Sequence, residues 1–139
     1  TVFISLSNKD KSAGLKAAKE LASLGFKILA TAGTAWTFGE NGLHATTVRK
    51  HSEGRGSLGE KTITEQMANG EIALVINTPV GQGTRQDGWV IRTTAVQRSI
   101  PCITTIAGFN AAVEGIKSLK SSSISVRPIQ EWLSDVAYK

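Results

Sequence analysis

The chemistry in this sequence is concentrated in a few short stretches. Thr31-Ala32-Gly33-Thr34 follows the apolar run 26–30 and precedes Ala35-Trp36-Thr37-Phe38. A strand that breaks into a small, hydroxyl-rich turn and reopens as a helix offers free backbone N–H groups and the positive end of the helix dipole. That arrangement suits an anion, most often a phosphate. Thr34 is expected as the N-cap of this helix, with Gly33 letting the backbone turn tightly before it. An ordinary βα loop with a threonine cap would read the same way, and T-x-G-T lacks the G-x-x-x-x-G-K-[ST] spacing of a phosphate loop. Other residues add weight to the anion reading. Lys11 and Lys50 supply ammonium groups, Ser5 and Ser7 supply hydroxyls, and Asn77 offers both a donor and an acceptor to a ribose or base. Paired lysines favour a dianion over a neutral ligand.

Catalytic chemistry is harder to assemble from these residue types. No Ser-His-acid set is evident, and neither His44 nor His51 has a metal-ligand partner at useful spacing, so both read as surface residues. Asp10 is the acid nearest the rim of the expected site, and helix capping accounts for it. Lys9 and Lys11 sit where a helix begins, the unfavourable end for a cation. They are either a solvated pair costing roughly a few tenths of a kcal/mol or cations that bracket an anion. A binding or regulatory site therefore fits better than an active site.

The elements that must position these residues alternate in type. Val2-Phe3-Ile4-Ser5-Leu6-Ser7 reads as a first strand, and Leu15, Ala18, Leu21 and Ala22 recur at helical spacing until Gly25. The second βα unit runs from Phe26 through the Thr31–Thr34 turn to Gly42. Thr46-Thr47-Val48 is a short third strand, and a polar, glycine-rich loop follows over 52–57. Ser57 with Glu60 predicts a capping box for a helix carrying Ile63 and Met67. Ile72-Ala73-Leu74-Val75-Ile76 is the clearest buried strand, with Asn77 at its carboxyl end. Asp87 predicts a helix through Arg98, residues 100–106 a fifth strand, and Phe109, Ala112, Val113, Ile116 and Leu119 an amphipathic helix. Ile124-Ser125-Val126 reads as an edge strand, and Pro128 opens a last helical turn carrying Ile129, Trp132 and Leu133. Of Trp36 and Phe38, one is expected in the core and the other either there or stacked near the ligand or a neighbouring domain, with core the favoured reading for each.

Alternation without hairpin signals predicts a parallel sheet with helices on both faces. Right-handed crossovers gather the strand carboxyl ends on one edge, where ligands bind beside the switch in strand order. Ser5, Ser7, Lys11, Thr31, Thr34, Lys50, Asn77 and Thr104 all belong to that edge.

Composition sets the outer bounds. The chain has 139 residues, 40% of them hydrophobic, enough for one domain with a proper core. No stretch approaches the ~20 apolar residues of a membrane span. The chain opens directly on a strand without an initiator Met, so it is expected to be a piece of a longer protein. A single cysteine, Cys102, in an apolar run excludes an internal disulfide and fits a cytoplasmic setting. Sixteen basic residues against eleven acidic ones give +5, and a pI near 9.6. The basic residues form no run and have no interleaved aromatics, which argues against nucleic acid as the partner.

These residues together carry a family resemblance. Ile4-Ser5-Leu6-Ser7, Asp10-Lys11, Leu24-Gly25-Phe26, Ala30-Thr31-Ala32-Gly33-Thr34, Glu53-Gly54-Arg55, Asn69-Gly70-Glu71 and Val75-Ile76-Asn77-Thr78 resemble a methylglyoxal-synthase-like domain. With Val90-Ile91-Arg92 and Thr104-Thr105, the set most resembles the C-terminal allosteric domains of carbamoyl phosphate synthetase large subunits. The resemblance spans nearly the whole chain, and its motifs are jointly specific though individually weak. It implies a single regulatory domain over 1–139 with a three-layer, doubly wound, Rossmann-like α/β fold and a mainly parallel five-stranded sheet. It also implies a nucleotide monophosphate effector, UMP or IMP. Its phosphate would fall on Lys11, Thr31, Thr34 and Lys50 beside the backbone at Gly33, with Ser5 at the floor and Asn77 near the ribose or base.

By the same resemblance, Thr104 would lie on the interdomain side where ornithine binds in bacterial enzymes. The loops 52–57 and 78–83 and the Thr104-Thr105 end would carry the signal. This domain would hold no cofactor, no metal and no catalytic residue. The parent enzyme would make carbamoyl phosphate from glutamine, bicarbonate and ATP, with Mg or Mn, for arginine and pyrimidine synthesis. Its partners would be the catalytic domains of the same subunit and a glutamine amidotransferase small subunit.

The chain departs from related patterns at two places. Bacterial allosteric domains often carry a second hydroxyl residue two positions after the asparagine and then a basic glycine loop. Here Pro79 and Val80-Gly81-Gln82-Gly83 stand there instead. Methylglyoxal synthases need aspartates where this chain has Gly54, Gly56 and Thr78-Pro79, which argues against the phosphate-lyase alternative. The inosinate cyclohydrolase domain shares the S-x-S and T-x-G-T pieces and matches less well beyond Lys50.

Overall fold

Short apolar strands with buried residues on both faces can pair only inside a sheet that is covered on both sides. A computed structural model of the chain, which describes residues 1–79 and 85–135, has that form. Strands β1 (Val2–Ser5), β2 (Ile28–Ala30), β3 (Thr46–Thr47), β4 (Leu74–Asn77) and β5 (Cys102–Ile103) make one sheet in the order β3-β2-β1-β4-β5. Every pairing is parallel, with Ile4 opposite Ala30 on one side and Ser5 opposite Asn77 on the other.

The helices are α1 (Lys11–Ser23), α2 (Ala32–Glu40), α3 (Ile63–Ala68), α4 (Arg85–Gln97), α5 (Ile106–Ser121) and α6 (Ile129–Asp135). Strand alternation sorts their contacts into two cores. Val2 and Ile4 pack with Ala18 and Leu21 of α1, Phe38 of α2, and Phe109 and Val113 of α5. Phe3 and Val75 point the other way, to Ile63 and Met67 of α3 and Ile91 and Ala95 of α4. The chain steps from β1 outward to β3, then crosses back to β4 and β5. Right-handed crossovers running in opposite directions must lie on opposite faces, which yields three layers. Phe3, Phe38 and Phe109 are fully buried, each contributing roughly 1.5–3 kcal/mol.

Several expected boundaries shift, each for a local reason. Strand β1 ends at Ser5 because the N–H groups of Leu6 and Ser7 turn to side chains, the hydroxyls of Thr34 (3.1 Å) and Thr78 (2.8 Å). The capping box is Thr62 with Glu65, where Glu65 Oε2 accepts the Thr62 N–H at 2.9 Å. Ser57 and Glu60 do not form one: Gly59 has φ 84°, a left-handed conformation that breaks any helix there, and Glu60 accepts the Leu58 N–H instead. Of 100–106 only Cys102–Ile103 is strand, since Pro101 has no N–H and Thr105 already caps α5, its hydroxyl accepting from Gly108 at 3.1 Å. Residues 124–126 form no strand, and Ile124 and Val126 are exposed. Among the described residues no helix is long and apolar enough to cross a membrane.

Candidate functional site

Strand order reverses between β1 and β4, so the loops leaving their carboxyl ends diverge and open a cleft of about 750 Å³. Ser5, Lys11, Thr31, Gly33, Thr34, Lys50 and Asn77 all line it. Thr104 does not; it follows β5 as an exposed residue beyond the cleft. A smaller groove of about 210 Å³ between α1 and α5 lies away from the strand ends.

The floor is a cluster of hydroxyls. Thr31, not Thr34, is the N-cap residue of α2, with extended φ/ψ of −64° and 152°, and its side chain makes no capping bond. Its hydroxyl lies 3.4 Å from Ser5 Oγ and 3.3 Å from Thr34 Oγ1. Both contacts are longer than an ordinary O–H···O bond, so the single Thr31 hydroxyl proton they share is readily redirected to a ligand. Thr34 is buried in the first turn of α2, where its oxygen accepts the Leu6 N–H and ties α2 to the end of β1. The Thr31 carbonyl accepts the N–H groups of Thr34 and Ala35, at 2.9 and 2.8 Å. The N–H groups of Ala32 and Gly33 have no intrahelical acceptor and stand at the cleft.

Cations surround that floor. A Cβ at Gly33 would come within 3.0 Å of Lys11 Nζ, so the Lys11 ammonium rests on bare backbone at the positive end of α2. Nothing there compensates it among the described residues, and an anion would. Lys50 also lines the cleft, as the residue that precedes a single 3-10 turn, His51–Glu53. Arg92 enters from α4, its Nη1 donating to Asn77 Oδ1 at 2.7 Å.

Glu53 and Asp87 also border the cleft, so Asp10 is not the only acid near its rim. Both are engaged by donors. Glu53 accepts the Lys50 N–H at 2.9 Å, and Asp87 accepts the Ser52 N–H (3.2 Å) and hydroxyl (2.9 Å), joining that turn to α4. Asp10 occupies the N-cap position of α1 without a side-chain capping bond. It accepts the Ser7 hydroxyl at 2.5 Å instead, and that bond, helped by Thr78 and Lys9, holds its carboxyl below the usual range.

Thr78, Asp87, Trp89 and Arg92 border the cleft without having been read as site residues in the sequence. Thr78 follows directly on Asn77, so strand register carried that signal; Arg92 and Trp89 lie on a helix whose facing cannot be read without the sheet. Trp89 is 62% exposed at the mouth, while Trp36 is 69% exposed and outside the cleft, contrary to its expected core role. Residues 80–83, expected to shape effector choice and transmit the signal, lie outside the described residues. Among the described residues no group of three His, Cys, Asp or Glu could hold a metal.

Comparison with known proteins agrees with this architecture. The MGS-like domain family matches residues 13–104. The carbamoyl phosphate synthase large chain of Streptomyces griseus subsp. griseus is 50% identical over 129 residues, covering 93% of this chain and 12% of that protein. That of Mycobacterium sp. is 45% identical over 138 residues, covering 98% of this chain and again 12% of the relative. This chain thus spans about 12% of the length of the curated relatives it matches. Among solved structures, the crystal structure of ForH has a TM-score of 0.55 at 18% identity, covering 81% of this chain and 76% of that one, a likeness of fold alone. With a family match across more than half its length, the chain belongs to the MGS-like domain family.

Proposed function

We propose that this chain is an allosteric effector-binding domain of a carbamoyl phosphate synthase large chain, taking a nucleoside monophosphate, UMP or IMP, in the cleft between β1 and β4. The observation that carries the proposal is the Lys11 ammonium lying on the bare first turn of α2, in a cleft that also holds loosely bonded hydroxyls and Lys50. A cation at a helix N-terminus is unfavourable alone and favourable around a phosphate. The acids on the rim already accept hydrogen bonds from neighbours, so the cleft presents mainly donors.

In this reading the domain adjusts carbamoyl phosphate synthesis from glutamine, bicarbonate and ATP for the arginine and pyrimidine pathways. It does so through the catalytic domains of the same subunit and the glutamine amidotransferase small subunit, with ornithine acting on the Thr104 side. The domain itself performs no chemistry.

Titration calorimetry of the chain against UMP, IMP, ornithine, arginine and N-acetylglutamate tests the reading. A nucleotide should bind, and Lys11→Ala and Thr31→Val should each weaken it by about 1–3 kcal/mol, the range for losing a hydrogen bond to a charged group. Nucleotide affinity unchanged in both variants at low salt would move the site elsewhere. Release of methylglyoxal from dihydroxyacetone phosphate at an enzymatic rate would replace the regulatory reading with the phosphate-lyase one.

A further inference from the structure

An asparagine amide is nearly symmetric in shape, and the groups around it decide which end faces which way. At Asn77 the deciding group is Arg92. A guanidinium can only donate, so the amide atom 2.7 Å from its Nη1 is the oxygen. Asn77 closes β4, is 4% exposed and borders the cleft. With Oδ1 held by the Arg92 charge, the Nδ2 hydrogens are the part of the amide that no protein acceptor among the described residues takes, and they are what it offers a ligand first. The guanidinium charge beside Oδ1 also polarises the amide and strengthens Nδ2 as a donor.

Gly88, one helical turn before Arg92 on α4, makes this approach feasible. A Cβ there would stand 2.9 Å from Arg92 Nη1 and 3.5 Å from Asn77 Oδ1, across the path that the guanidinium takes.

We infer that Arg92 is a positioning residue that fixes the Asn77 amide with Nδ2 turned into the cleft, so that the ligand atom meeting Asn77 is a hydrogen-bond acceptor. This rests on the effector reading above, and it narrows the two-way role expected of Asn77. A phosphate or keto oxygen fits Nδ2; a group that must donate is left only the second lone pair of Oδ1, beside the guanidinium charge.

The test has a ligand-free arm and a binding arm. Asn77→Asp keeps the shape and puts a carboxylate before Arg92. At neutral pH its thermal midpoint should equal or exceed that of the wild type, and the same change in an Arg92→Met background should lower it. Equal destabilisation in both backgrounds would overturn the inference. In the binding arm, UMP, IMP and inorganic phosphate are titrated into the folded variants. Asn77→Asp should lose about ten- to a hundredfold in affinity, an acceptor having replaced the donor. Gly88→Ala keeps every charge but displaces the guanidinium, and should lose affinity severalfold with unchanged circular dichroism. Wild-type affinity in both variants would also overturn the inference. If the wild type binds no probe while Asn77→Asp still depends on Arg92 for its stability, the effector reading fails and the positioning of Asn77 stands.

Discussion

Thr34 and Thr31 are three residues apart and carry the same hydroxyl, yet substitution should affect them differently. Thr34 Oγ1 is the acceptor for the Leu6 N–H, just beyond the last residue of β1. Valine at 34 would leave that buried N–H without its partner, a loss of about 1–3 kcal/mol. Thr31 contributes only long contacts to Ser5 and Thr34, and Thr31→Val removes a proton that faces the cleft without orphaning any backbone group. Thr34→Val should therefore lower the urea midpoint, while Thr31→Val leaves it near that of the wild type and acts on ligand affinity. Equal midpoints for the two variants, measured by far-ultraviolet circular dichroism, would contradict this division of labour. The strand-to-helix turn Thr31-Ala32-Gly33-Thr34 marks both threonines as site candidates; which of them holds the fold depends on whose oxygen meets a strand-end N–H.

Helix α1 shows how an element transmits a local constraint. Gly14 is buried, and a Cβ there would fall 2.5 Å from Leu6 Cδ1 and 3.4 Å from Ile106 Cδ1. Alanine normally gains about 1 kcal/mol over glycine inside a helix, but overpacking a core costs about 1–3 kcal/mol. Leu6 is itself buried and tied through its N–H to Thr34, so it cannot simply swing aside. Gly14→Ala should be destabilising, whereas Gly39→Ala in α2, with nothing within 4 Å of its Cβ, should show the usual gain. Chemical denaturation of the two variants checks this; a gain at both positions would mean that Leu6 has room.

The element level is also where the sequence was most legible. The βα alternation placed the strands and main helices, and Ser5, Lys11, Thr31, Gly33, Thr34, Lys50 and Asn77 do share one cleft. What periodicity could not resolve were contests between nearby residues for the same backbone groups. Thr62 displaced Ser57 as a cap because Gly59 adopts a left-handed turn, and Thr105 opened α5 where strand had been expected. Trp36 failed as a core residue because the helix turns Phe38 inward on α2, and one aromatic fills the space.

At the scale of the whole molecule, the reversal of strand order between β1 and β4 determines what the proposed regulatory domain could report. The proposed nucleotide cleft gathers residues from both sides of the reversal, while Thr104 stands past β5 at the sheet's far edge and outside that cleft. A ligand can shift an equilibrium only by its differential affinity for the two states. Lys50 precedes a turn joined to α4 through Ser52 and Asp87, so in the proposed reading closing on an anion would pull on α4, the helix that leads into β5. Two effectors acting at these separate places would couple to the catalytic part independently, each by about 1–3 kcal/mol. Placed in the full-length parent enzyme, Lys50→Ala should abolish the nucleotide response and spare the ornithine response, and Thr104→Val should do the reverse. The measurement is apparent substrate affinity with each effector at saturation, and the expected change is severalfold. Loss of both responses in both variants, with the fold intact, would show that cleft and far edge act as a single site.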